Sequence, residues 1–153
     1  MVEHGLLGPN SMYDACGLSF IAANGDHVKA STHMFEDTGV MAMLCHHDVP
    51  LFLVNMWTPG EKQFYAFALI AALLQHIPTL WRVRVLYDIG CQMDRALKKW
   101  DFAPSWQSHL AWGVLIFHAY GHQYNCQLWY HPQKSAMWGF TDGEGCERFW
   151  SEL

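Results

Sequence analysis

Residues 63–75 form an apolar run without a single charged side chain. A bilayer span needs about 20 such residues, so this run is too short to cross a membrane and must be buried by the rest of the chain. With 153 residues, 52% of them hydrophobic, the chain has material for one domain. A domain of that size buries roughly two thirds of its extended-chain surface. No basic stretch precedes an apolar segment near Met1, so no secretory leader is expected. Nine Lys and Arg stand against fourteen Asp and Glu, a net charge of -5 with neutral His. Weak or no DNA binding is therefore expected of the chain alone, since phosphate contacts need a basic footprint. The five cysteines include no CxxC pair, which points to reduced thiols inside a cell. Eight Trp, six Tyr and nine Phe are a surplus for this length. Such a surplus suggests aromatic surface for a protein partner or for self-association.

Turn and cap signals divide the chain. Ser11 can cap a short helix through Met12, Asp14 and Cys16. Residues 38–45 and 51–56 are apolar runs separated by His46, His47 and Asp48, which predicts a hairpin. Thr58, Pro59 and Glu61 resemble a capping box opening a helix to about His76, with its densest apolar stripe at Phe64, Phe67, Ala71 and Leu74. Residues 82–87 read as a strand ending at Asp88, and residues 92–100 as a short amphipathic helix. A long helix is predicted over residues 106–130, then a short extended piece over 138–141 and a final helix near Glu144. That last helix has run only about two turns when the sequence stops at Leu153, which reads as a fragment of a longer protein.

Two constellations could carry chemistry. Asp88 lies at the C-terminal end of a strand, where open α/β sheets place chemistry, although Asp is also an ordinary helix cap. Glu144 and Glu147 share a face at the start of the last helix, where the helix dipole also favours acids. Carboxylates gathered from two elements suit a pair of Mg²⁺ ions. The second constellation is His118, His122 and Cys126, at i, i+4 and i+8 on one helical face, with Cys91 able to join them. These donors suit Zn²⁺; the alternatives are hydrogen-bonded core histidines, or histidines that orient the carboxylates. Cys45-His46-His47-Asp48 reads as a polar hairpin turn, and Arg148 could pair with Asp142 or touch a phosphate.

Motifs spread along the whole chain carry a resemblance. They include Phe35-Glu36-Asp37-Thr38-Gly39, Cys45-His46-His47-Asp48-Val49-Pro50, Leu86-Tyr87-Asp88-Ile89-Gly90-Cys91-Gln92, Phe117-His118-Ala119-Tyr120-Gly121-His122 and Asp142-Gly143-Glu144-Gly145-Cys146-Glu147-Arg148-Phe149-Trp150. In these the chain resembles the Kyakuja-Dileera-Zisupton (KDZ) transposases common in fungal genomes. The resemblance implies an α/β, RNase H-like (retroviral-integrase-like) fold, incomplete at the N-terminus, with a helical insert over about 92–137. It implies that Asp88 is the second aspartate of a DDE triad, that Glu147 (or its neighbour Glu144) is the glutamate, and that two Mg²⁺ ions cleave and join DNA. It also implies that Cys91, His118, His122 and Cys126 belong to a cysteine and histidine insert. The first aspartate would lie upstream of residue 1, so Asp14 and Asp26 are assigned no role. Where the family places Cys-Arg-His, this chain has Cys45-His46-His47.

The resulting expectation is a remnant of a DDE transposase core, inactive alone and nuclear if functional. The alternative is a non-enzymatic, zinc-stabilised protein-interaction module.

Overall fold

A computed structural model describes residues 36–153 apart from Pro59 and Phe102. The expected helix near Ser11, with Asp14, Cys16 and Asp26, lies outside the described residues.

The hairpin forms as expected. Strands β1 (Gly39–Leu44) and β2 (Pro50–Met56) pair antiparallel, with Met41 opposite Val54 and Met43 opposite Phe52. Side chains alternate across a strand, so Met41, Met43, Phe52 and Val54 join the core while Val40, Leu51 and Leu53 stay exposed. The connecting turn closes through the Cys45 N–H bound to the Val49 carbonyl at 2.9 Å, with Asp48 at a left-handed φ of 63°. Asp tolerates that conformation better than most residues.

Helix α1 (Gln63–His76) starts later than the capping-box reading placed it, and no side chain caps it. The Thr58 hydroxyl is instead 3.1 Å from the Tyr65 hydroxyl, which also accepts the N–H groups of Trp57 and Thr58 at 2.9 and 3.0 Å. Tyr65 thus satisfies the backbone of the turn that Thr58 was expected to cap. The buried face is Tyr65, Ala66, Leu69 and Ile70 rather than the stripe through Phe64. A helix apolar on nearly every side offers no unique face from sequence; packing against β1 and β2 makes the choice. The helix ends before Pro78 with Ile77 extended.

Strand β3 (Val83–Leu86) leads through Asp88 into helix α2 (Gly90–Lys99) and the single turn α3 (Pro104–Gln107). The predicted long helix over 106–130 does not form. Its place is taken by strand β4 (Leu110–Gly113), helix α4 (Ile116–Ala119) and helix α5 (Tyr124–Trp129). β4 runs parallel to β3, with Val83 opposite Leu110 and Leu86 opposite Gly113. Strands of parallel sheets are buried on both faces and read as continuous apolar runs, which periodicity cannot distinguish from a buried helix. Residues 138–141 form no strand, and the chain closes on helix α6 (Gly145–Ser151), packed on β1.

One core cluster joins Met41 to Tyr65, Ile70, Met93, Leu97 and Trp112. A second gathers Cys91, Val114, Ala119 and Cys126, and Tyr130 packs against both. The architecture is mixed α/β. Among the described residues the strands form two separate two-stranded sheets, so the single RNase H-like sheet of the resemblance is not resolved as such.

Candidate metal centre

The second core cluster is organised where the start of α2 meets the end of β4. The N–H of Gly90 binds the Tyr87 carbonyl at 2.8 Å, and the Tyr87 N–H binds the carbonyl of Gly113 at 3.1 Å. A methyl group on Gly90 would run into that same Gly113 carbonyl, so only glycine lets the start of α2 lie this close to β4. The next residue, Cys91, is carried into the interior and has no exposed surface.

After β4, the Val114 N–H binds the Tyr130 carbonyl at 2.8 Å, folding the α4–α5 segment back over α2. The turn between the helices closes through the N–H groups of Gly121 and His122, bound to the carbonyls of His118 and Ala119. The Gln127 side chain donates to the His122 carbonyl at 2.8 Å. These bonds bring His122 Nδ1 to 3.5 Å from Cys91 Sγ, with Cys126 on α5 beside them. The ligand atoms of Cys91, His122 and Cys126 all lie within 4.8 Å of one another, and all three residues are buried. Nearby, the Tyr130 hydroxyl donates to Asp94 at 2.8 Å, and Lys98 pairs with the same carboxylate at 2.7 Å. Burial and the Asp94 charge raise the Tyr130 pKa far above its ordinary value, so Tyr130 is a fixed donor.

Two thiols and an imidazole are borderline-soft donors of the kind zinc takes in tetrahedral sites. Hard Mg²⁺ wants oxygen. The donor set therefore fits Zn²⁺.

His118 stands outside this group. In a continuous helix it would share a face with His122 and Cys126, but the chain leaves the helix at Tyr120. His118 Nε2 lies 3.4 Å from Asp88 Oδ2 instead, and its Nδ1 is buried with no hydrogen-bond partner among the described residues.

The two-Mg²⁺ DDE reading of Asp88, Glu147 and Glu144 is overturned here. Among the described residues, the group of three or more His, Cys, Asp or Glu whose ligand atoms converge is Cys91, His122 and Cys126, and it contains no carboxylate. Asp88 faces His118, while Glu144 accepts the Phe117 N–H at 3.1 Å. Glu147 lies in the first turn of α6. Burial raises the Asp88 pKa; the His118 charge opposes that rise, and Glu61, Glu147 and Glu144 add to it. Among the described residues these carboxylates form no converging ligand group of the kind that two divalent ions require. DDE chemistry and magnesium dependence fall with that reading.

Other sequence readings resolve plainly. Cys45 and His47 sit 3.9 Å apart in the exposed hairpin turn. Arg148 pairs with Asp142 at 2.8 Å and makes a two-pronged contact with Asp48 at 2.6 and 2.9 Å. The Asp48 contact ties α6 to the hairpin tip and carried no sequence signal. Nor did the Gly90–Gly113 approach, since glycine alone does not say what it lies against. No described helix is long and apolar enough to cross a membrane.

The family model KDZ: Kyakuja-Dileera-Zisupton transposase matches residues 3–153. No curated protein matches the chain, and no solved structure does.

Proposed function

The chain belongs to the Kyakuja-Dileera-Zisupton transposase family, and from that premise we propose that it is a zinc-stabilised, non-enzymatic module that presents a surface to a protein partner. The observation that carries this reading is the convergence of Cys91, His122 and Cys126, three buried soft donors from α2, the turn after α4, and α5. Burial of all three suits a closed structural ion, whose tetrahedral shell would take a fourth ligand beyond these three.

The same segment turns aromatic side chains outward. Phe117, Tyr120 and Tyr124 are 76%, 73% and 70% exposed. Such residues supply large contact area at small entropic cost, which suits a protein interface. The net charge of -5 disfavours a nucleic-acid backbone as the partner. Family membership agrees with an intracellular, nuclear setting. The antiparallel β1–β2 pair and the parallel β3–β4 pair support an RNase H-like arrangement as the finer reading of the fold.

Zinc held by donors from three separate chain segments would be linked to the stability of that part of the fold. Metal analysis of protein purified without added metal should therefore find stoichiometric zinc. Chelation should lower the thermal midpoint and loosen the segments around Cys91, His122 and Cys126, and zinc should restore both. Bound magnesium without zinc, or a melt indifferent to chelator, would refute the reading.

A further inference from the structure

Cys91 opens α2 and Cys126 lies in the middle of α5, both essentially without exposed surface. Their sulfurs lie within 4.8 Å of each other, and both side chains belong to one cluster with Val114 and Ala119. Neither is in a disulfide. A disulfide needs Cβ atoms about 4 Å apart and sulfurs about 2 Å apart. Closing that gap would take side-chain rotation and a small approach of α5 toward α2. We propose that Cys91 and Cys126 form a redox pair: when the metal is withdrawn, hydrogen peroxide converts them to a disulfide, so the α2–α5 junction is held either by zinc or by a sulfur–sulfur bond. The protected state rests on the zinc reading; the thiol pair itself stands on geometry.

The chemistry balances with peroxide as the oxidant. One thiolate attacks a peroxide oxygen, the O–O bond breaks, and a sulfenic acid and one water result. The second thiolate attacks the sulfenic sulfur, forming the S–S bond and expelling the oxygen as a second water. The sulfurs lose two electrons, the peroxide gains them, and both thiol protons end in water. Bound zinc blocks the first step by engaging the sulfur lone pairs. Its loss exposes the thiols, because the three chain segments it joins are then free to separate locally.

The test uses the full chain, one sample chelated and dialysed, the other loaded with zinc, both treated with hydrogen peroxide. Intact mass and non-reducing peptide maps are the readouts. The metal-free sample should lose two hydrogens and show the Cys91 and Cys126 peptides linked, while the zinc-loaded sample stays unlinked over the same time. In Cys126→Ser the link should be lost, and Cys91 should gain oxygen instead. Oxygen added at both cysteines of the wild-type chain without a link would overturn the proposal. So would Cys91 scrambled among Cys45, Cys146 and Cys16, as expected of an unfolded metal-free chain. Equal linking in both samples would sink the zinc reading while upholding the thiol pair.

Discussion

Replacing Gly90 by alanine sets two well-known effects against each other at the entrance to the metal centre. Gly90 has no positive φ, so an L-residue can adopt its backbone without strain. At an ordinary helical position, Gly→Ala stabilises by roughly 0.5–1 kcal/mol through helix propensity and unfolded-state entropy. Here the added methyl would collide with the Gly113 carbonyl, its carbon only 3.0 Å away and its oxygen nearer still. Neither side yields easily. The Gly113 carbonyl is held by the Tyr87 N–H, and the Gly90 N–H by the Tyr87 carbonyl. Relief requires α2 to move off β4, and overpacking of that kind costs about 1–3 kcal/mol. The net expectation for Gly90→Ala is a loss of about 1–2 kcal/mol. In a domain of this size each kcal/mol lowers the melting midpoint by about 2–4 °C. Urea unfolding of zinc-loaded protein measures the change directly. Zinc affinity, read by competition with a chromophoric chelator, should weaken as well, because Cys91 moves with the helix. Since the two effects differ in sign, a variant more stable than wild type would show that the helix and strand do not approach as described.

Three further outcomes are expected. Tyr65→Phe leaves the N–H groups of Trp57 and Thr58 without their acceptor; in this half-buried turn the loss should be about 1–2 kcal/mol by urea unfolding, and an unchanged midpoint would remove Tyr65 from its role. Arg148 holds the Asp48 and Asp142 carboxyls below their ordinary range, chiefly through its hydrogen bonds. Depressed carboxyls stabilise fully above their unfolded pKa of about 4 and lose that contribution as pH falls through the lower folded values. Wild type should therefore lose the α6–hairpin contact below about pH 4, and Arg148→Ala should flatten that part of the melting curve against pH; parallel curves would refute the link. The effect should be modest, because the pair faces solvent. Cys126→Ser should drop stoichiometric zinc while leaving Tyr65 and Ile70, in the other core cluster, protected from hydrogen exchange; retained zinc would move the ligand elsewhere.

Parts of the fold were legible because their signals are local. The hairpin follows from two apolar runs around a polar turn, and α1 ends where Pro78 dictates. Family membership was legible through motifs in order along the chain. Cys91, His122 and Cys126 were named together from residue type, but His122 meets Cys126 from the turn before α5 and not along one helical face. The site differs from its sequence reading where the helix was assumed continuous: a break at Tyr120 sends His118 to Asp88. The acidic constellation misled because residue type and family position say what carboxylates could do if they met. They do not say whether the meeting happens.

The sequence by itself determined the apolar content, the acid excess, the residue types available to hold a metal and the kinship that orders them, since each is a property of local composition or spacing. Tertiary structure decided that residues 110–113 are a strand, that α1 turns Tyr65 rather than Phe64 inward, and that sulfur and nitrogen rather than oxygen donors converge. The physical reason is common to all three. A buried apolar segment takes the conformation that satisfies its backbone against a neighbour. A ligand set exists only where separate elements are packed closely enough to share one ion.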